Sequence, residues 1–476
     1  MLIESSPTNL DPRIGIDAQS ELIDSLIFDD LLERGANLDV APGLAERWES
    51  PDPLTYIFHL HAGAKFHDGR SLTSHDVKWT FDSLLQGRIR STKASVYKYV
   101  DRIEAPDDST VIFRMKERDA TLLWNLSDGA VGIVPYGSGD EMTAHPVGSG
   151  PFKFVSAETD REVILERNAE YWGEESRVER VRFAVVPDGT TRALELRKGS
   201  GDVAINSLTP DTVETLEADP NLAVEHAAGT RLAYLGFNLR DPILKDARVR
   251  QAIAYALDRR PMIDYLWHRE AQPAYSVLPV QSWAYNGDVL HYDHNVDQAN
   301  RLLDAAGYAQ VNGVRFHITM KTSTDDSTRL MVAVMQQQLR EVGIALDIRS
   351  FEFATFFSDV THGAFQMYGL RWIGGNEDPD IFEYAFASSK FPPNGANRAF
   401  YSNPQVDILI EKARRESDVR VRKDLYAELQ RIVANDVPYI NLWYFDNVVV
   451  HTRRVKNMKV SPSGNYDFLR TVELAQ

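Results

Sequence analysis

Leu330-Met331-Val332-Ala333-Val334-Met335-Gln336-Gln337-Gln338-Leu339-Arg340-Glu341-Val342-Gly343-Ile344-Ala345-Leu346-Asp347-Ile348 changes its hydrophobic period in mid-stretch, and that change decides the fold class. Leu330, Met331, Val334, Met335, Leu339 and Val342 recur at helical spacing, Gly343 supplies the stop, and 344–348 alternates as a strand. A helix running straight into a strand is β/α alternation. Downstream, Phe365-Gln366-Met367-Tyr368-Gly369-Leu370 pairs as another strand, followed by Trp372-Ile373-Gly374-Gly375-Asn376-Glu377-Asp378-Pro379-Asp380-Ile381-Phe382. An aromatic, a glycine pair, four polar side chains and a turn-forming proline between apolar neighbours suit a ligand-lining loop. It would sit at the carboxyl end of a strand, where open α/β sheets bind ligands. An ordinary surface loop is the other reading of this segment by itself.

The same grammar extends outward. Tyr234-Leu235-Gly236-Phe237-Asn238 reads as a strand, and 248–266 as one helix carrying Val249, Ile253, Ala256, Leu257 and Ile263 on a face. Asn403-Pro404 starts a helix with Val406, Leu409, Ile410 and Ala413; Val421, Leu425, Leu429, Ile432 and Val433 form the next, up to Pro438. Tyr439-Ile440-Asn441-Leu442-Trp443-Tyr444 then reads as a strand that returns the chain to its first part. That first part mixes short strands with turns: 55–60, 110–115, a paired 152–155 and 163–166, and 181–186. Between them a helix begins where Thr73 and Asp76 form a capping box, runs through Val77, Phe81, Leu84 and Leu85, and stops at Gly87. Met1-Leu2-Ile3-Glu4-Ser5 already reads as strand, which suggests that a signal peptide has been removed upstream.

Composition narrows the function classes. A chain of 476 residues exceeds one core, so about two or three domains are expected. A net charge of −17 argues against nucleic acid, whose binders need a basic face to displace counterions. With no cysteine there is no disulfide, zinc thiolate, iron–sulfur cluster or thiol nucleophile. No apolar run reaches the roughly 18 residues of a membrane span.

Catalytic signatures are missing: no phosphate-binding loop, no His-Glu-x-x-His and no Gly-x-Ser-x-Gly elbow. Val147-Gly148-Ser149-Gly150-Pro151-Phe152 has glycines at the wrong spacing and reads as a tight turn before a strand. His59, His61 and His67 have types that bind zinc or nickel, yet half-exposed strand histidines are the plainer reading. Asp378 and Asp380 lack the glycine spacing of a calcium loop and read as an Asp-Pro turn. Trp372, Trp443, Tyr444, Phe382 and Tyr368 are expected around a cleft and the return hinge; core packing is the plainer reading for most of them, and Trp372 is the one that offers a flat apolar wall.

Several further motifs occur in a fixed order. They are Leu10-Asp11-Pro12; Pro42-Gly43-Leu44-Ala45-Glu46-Arg47-Trp48; Leu54-Thr55-Tyr56; and Lys65-Phe66-His67-Asp68-Gly69. After the 147–152 motif come Arg167-Asn168-Ala169-Glu170-Tyr171-Trp172, Val249-Arg250-Gln251-Ala252-Ile253, 299–308 and Tyr401-Ser402-Asn403-Pro404. Taken together the chain resembles, nearly end to end, family 5 of the extracellular solute-binding proteins, the peptide/nickel/opine-type receptors of ABC importers.

The resemblance implies an α/β, two-lobed periplasmic-binding-protein fold (class II type) with an extra α+β subdomain inserted in the first lobe. The first lobe would take 1–35, 150–233 and 445–476, the extra subdomain 36–149 and the second lobe 234–444, with hinge strands near 234–238 and 439–444. It implies a monomeric receptor, not an enzyme and without cofactor or metal, that closes on a small-molecule or peptide ligand and delivers it to ABC permease subunits. The location would be periplasmic or extracellular, and a lipid-anchored precursor is compatible with it. Ligand-binding positions carried over are Asp17 and Ala18, whose spacing between Asp11-Pro12 and Phe28 matches the relatives' first-lobe segment, and Tyr368, Arg371, Trp372, Ile373, Gly374, Gly375, Asn376 and Glu377. Peptide-binding relatives hold the ligand's ammonium with an aspartate three residues after the loop tryptophan; here that position is Gly375. Glu377 or Asp17 would have to substitute, or the ligand is a blocked peptide, a sugar, an opine, a metal chelate or another solute without a free amine. Two other classes stay open: a secreted hydrolase using Glu377 and Asp378 as acid and base, and a sensor domain of the same fold.

Overall fold

A computed structural model describes residues 1–35, 38–127, 131–374 and 376–475, the side chain at 326 excepted. The chain divides into two compact units, one of Met1–Ala227 with Asn447–Gln476 and the other of Ala228–Asp446.

The second unit is organised by a six-stranded mixed sheet in the order Ala271–Pro273, Tyr439–Phe445, Leu232–Phe237, Met367–Trp372, Phe316–Ser323, Ile344–Phe351. Phe316–Ser323 and Ile344–Phe351 run parallel, joined by the helix Asp326–Glu341. Gly343, at φ +79°, makes the left-handed stop. The buried face of that helix keeps Met331, Met335, Leu339 and Val342 of the expected stripe but takes Val332 in place of Leu330. Val332 is fully buried with Met335, Leu339 and Val342, whereas Leu330 is 60% exposed. Apolar residues on adjacent faces of a helix cannot be ranked by spacing alone.

The expected single helix over 248–266 is two, Ala247–Ala256 and Arg259–Leu266. Pro261 explains the break: in a continuous helix its ring would meet the carbonyl of Leu257, so Leu257 and Asp258 are extended instead. The expected helix starting at Asn403-Pro404 is present, with the Asn403 side chain accepting from the Gln405 N–H. The strands at 232–237 and 439–445 are neighbours inside this sheet, and the chain passes between units at 227/228 and 446/447.

The first unit holds a four-stranded sheet ordered Leu2–Ile3, Arg180–Val185, Glu162–Arg167, Phe152–Glu158, in which Leu2–Ile3 pairs parallel. A three-stranded sheet places Asn447–Thr452 between Val203–Ile205 and Leu222–Ala227. The strands Ala45–Asp52, Thr55–Leu60, Thr110–Met115 and Val100–Asp107 form an antiparallel sheet under the helix Ser74–Leu85. They share a core of their own, drawn from residues between Leu31 and Ile133. The capping box is as expected: the Asp76 carboxylate accepts from the Thr73 backbone N–H at 2.7 Å and from its hydroxyl at 2.9 Å.

Candidate functional site

Strand Met367–Trp372 pairs with Leu232–Phe237 so that Trp372 stands opposite Leu232 and Tyr368 opposite Gly236. Alternation along the strand sends Tyr368 inward, where it is fully buried edge-on to Tyr234 and Phe365. The strand runs two residues beyond its expected end, and Trp372 is its last residue. Its indole lies half-exposed, parallel to the Tyr234 ring at 6.0 Å, and Tyr234 in turn stacks on Tyr439 at 4.4 Å. Trp372 is thus the outer end of an aromatic pile rooted in the core. Ile373, 73% exposed, and Gly374, at φ +71°, follow it at the surface.

The chain then turns inward. Asn376 is fully buried and donates through Nδ2 to the carbonyls of Thr230 at 2.8 Å and Val277 at 3.2 Å. Glu377, 2% exposed, accepts from the Thr230 hydroxyl at 2.6 Å. Asp378 takes the Asp380 N–H at 2.6 Å, forming the expected turn that starts the short helix Ile381–Phe386. Of the residues expected to line the site, then, Arg371, Trp372, Ile373 and Gly374 share the surface, while Tyr368, Asn376 and Glu377 lie beneath it as supports. Gly375 lies outside the described residues. Arg371 rests its guanidinium over the Phe445 and Trp267 rings at 5.0 and 5.6 Å.

Asp17 and Ala18 belong to the other unit. Asp17 caps the helix Ala18–Ile27, accepting from the Ser20 N–H at 3.0 Å and hydroxyl at 2.5 Å and from the Thr8 N–H at 3.2 Å and hydroxyl. Burial raises its carboxyl, but these hydrogen bonds outweigh that and hold it below the usual carboxylate range. Ala18 is exposed beside it.

Two neighbours of Trp372, Tyr384 and Arg398, escaped the sequence reading, as did Phe357 beside Arg398 and Phe353 stacked on it. Helix Phe353–Thr361 shows solvent two stacked rings, Phe353 and Phe357, 5.8 Å apart. Tyr384 meets Trp372 edge-on at 6.2 Å, and the Arg398 guanidinium lies 5.7 Å from the Trp372 ring and 5.3 Å from that of Phe357. The i, i+4 spacing of Phe353 and Phe357 was the available signal, since it puts both on one helix face; nothing local marks Arg398.

The motifs of the first unit explain themselves as structure. Ser149 is fully buried and donates to Asp29 at 2.8 Å; Tyr171 Oη and Trp172 Nε1 donate to the same carboxylate at 3.0 and 2.9 Å. Gly148 and Gly150 lie against the end of the helix Ala18–Ile27, where a β-carbon at 148 would sit 1.9 Å from the Ile27 carbonyl oxygen. His67 lies between their backbones: Nε2 meets the Gly150 carbonyl at 3.0 Å and Nδ1 the Gly148 N–H at 3.3 Å. His59 and His61 face Glu49 at 3.3 Å and Glu46 at 3.8 Å.

Residues 39–393 match the family described as bacterial extracellular solute-binding proteins, family 5 (middle). The chain belongs to that family. Among family 5 relatives, it is 30% identical to di/tripeptide-binding protein 4 of Pseudomonas aeruginosa over 98% of this chain and 93% of that protein. It is 27% identical to heme-binding protein A of Haemophilus influenzae, covering 97% of this chain and 89% of the other. The periplasmic binding protein DppA of Helicobacter pylori, solved in complex with the peptide STSA, superposes with a TM-score of 0.80 at 28% identity, over the whole of this chain and 97% of that one. Family 5 members are two-lobed periplasmic solute-binding receptors, and the α/β architecture here is theirs. No described helix is long and apolar enough to cross a membrane.

Proposed function

We propose that this chain captures a peptide-like solute by hinge closure and hands it unchanged to the permease of an ABC importer. The single observation that carries this reading is the exposed end of the strand Met367–Trp372. There Trp372, Ile373 and Gly374 leave an aromatic wall and open backbone at the surface of a chain whose relatives are named for di- and tripeptides. Arg371 completes that wall; Asp17 and Ala18 are ligand contacts on the strength of the family resemblance alone. Extended peptides bind such strand ends through main-chain hydrogen bonds, with side chains accommodated by apolar surface.

Ammonium recognition is the part that departs from the family pattern. Residue 375 carries no carboxylate. Glu377 is enclosed with the Thr230 hydroxyl, and Asp17 already accepts four hydrogen bonds. The ligand's amino end is therefore held without a charge-assisted contact from these positions, and blocking it is inexpensive. The burial of Glu377 and Asp378, at 2% and 6% exposure, favours the receptor reading over a hydrolase that would use them as acid and base.

Calorimetry with the tripeptide Ala-Ala-Phe and its N-acetyl form, followed by mass analysis of the recovered ligand, tests the reading. One-to-one binding of both forms with unchanged masses is expected. Turnover of either peptide, or no binding of either, overturns it.

A further inference from the structure

Arg398 is a weakly partnered arginine beside Trp372. It is half-buried, yet among the described residues it has no carboxylate within ion-pair distance. The one hydrogen bond of its side chain among the described residues runs from Nη1 to the Tyr234 hydroxyl at 3.4 Å, a long contact for a charged donor. Nε is enclosed and meets no acceptor. Arg250, by contrast, donates to the carbonyls of Leu244, Lys245, Asp436 and Val437. Arg259 donates to those of Ala274 and Asn441. Arg398 has five N–H donors and one weak use for them.

The loop that carries it is fixed. Asn397, fully buried, donates to the carbonyls of Ala387 at 2.9 Å and Tyr401 at 2.8 Å and accepts from the Tyr401 N–H at 3.0 Å. The Arg398 side chain passes between the Phe357 and Trp372 rings. An isolated cation on a rigid mount, between two ring faces and beside the exposed Phe353, is a surface that accepts a planar anion attached to an apolar body.

Resting on the peptide reading above, we infer that Arg398 receives the terminal carboxylate of the bound peptide and that Phe353, Phe357 and Trp372 take up an apolar or aromatic final side chain. The receptor then orients its ligand by the carboxyl end rather than the amino end, which accords with the missing carboxylate at position 375. The specificity that follows is for short peptides with a free carboxyl terminus and a bulky apolar last residue.

Three probes decide it: Ala-Ala-Phe, its C-terminal amide, and Ala-Ala-Ala, titrated calorimetrically against the wild-type chain and the variants Arg398→Met, Arg398→Lys and Phe357→Ala. In the wild type, amidation is expected to weaken binding about tenfold or more, the loss of one charge-assisted hydrogen bond. Arg398→Met should bind acid and amide alike, Arg398→Lys should keep part of the difference, and Phe357→Ala should narrow the gap between Ala-Ala-Phe and Ala-Ala-Ala. Circular dichroism melting of each variant separates loss of recognition from loss of fold. Equal binding of acid and amide by the wild type, or a preference that survives in Arg398→Met, overturns the assignment while leaving peptide capture standing. Failure of the wild type to bind any of the three overturns both.

Discussion

Gly236 and Tyr368 face one another on adjacent antiparallel strands, and a β-carbon on Gly236 would stand 2.3 Å from two atoms of the Tyr368 ring. The tyrosine lies in the space that a side chain at 236 would fill. Four residues further on, the same strand presents Trp372, so the depth of Tyr368 sets the height of the wall above it. Gly236→Ala is therefore expected to destabilise the protein by about 1–3 kcal/mol through overpacking. It should also weaken peptide binding, and urea unfolding alongside calorimetry reads both. Unchanged stability would show that the ring has room to shift.

Trp372 is the outer member of its aromatic pile and half-exposed. Trp372→Ala should reduce affinity at least tenfold while moving the melting temperature by only a few degrees. A collapse in melting temperature with unchanged affinity would return the ring to the core.

The Asp29 carboxylate gathers Ser149, Tyr171 and Trp172 from two distant motifs. Asp29→Ala leaves the buried Ser149 hydroxyl and the half-buried Tyr171 and Trp172 donors without their acceptor, and a loss of about 2–3 kcal/mol in the first unit is expected. Ser149→Ala, by contrast, should cost only about 1 kcal/mol and leave ligand binding intact, as a structural hydroxyl would.

Burial lowers the His67 imidazole from 6.5 to about 4, offset in part by its contact with the Gly150 carbonyl. The ring is neutral, with Nδ1 accepting and Nε2–H donating; a proton on Nδ1 would confront the Gly148 N–H. Because the folded pKa is depressed, the unfolded chain binds more protons between pH 6.5 and 4, so this contribution is complete above 6.5 and is lost as the pH falls to 4. About 2–3 kcal/mol should disappear across that window. Urea midpoints at pH 7.5 and 4.5 measure it, and His67→Gln should flatten the difference relative to wild type.

N-acetylation of Ala-Ala-Phe should change its affinity less than about threefold, since a lost charge-assisted contact would cost more than that. A loss of thirtyfold or more would mean that a carboxylate outside position 375 grips the amine.

How much of this was legible from residues alone follows the range of the forces involved. The helix–strand switch around Gly343, the Thr73–Asp76 capping box and the Asn403-Pro404 start are local, and each lies where the sequence puts it. The break at Leu257 and Asp258 was local too, and Pro261 was its sign. Loop polarity misled: Asn376 and Glu377 look like surface groups, but the carbonyls of Thr230 and Val277 hold the Asn376 amide nitrogen, and the Thr230 hydroxyl one Glu377 oxygen, inside. Those partners lie about a hundred or more residues away, beyond any periodicity. Arg398 was invisible for the same reason, because what distinguishes it is the lack of an acid nearby in space.

The strand Asn447–Thr452 lies between Val203–Ile205 and Leu222–Ala227, so the middle rung of that ladder is synthesised after both of its rails. Residues 228–446, an uninterrupted stretch, emerge from the ribosome in between. That sheet of the nascent first unit must wait with a gap at its centre while the second unit is made, and it can close only when almost the whole given sequence has been synthesised.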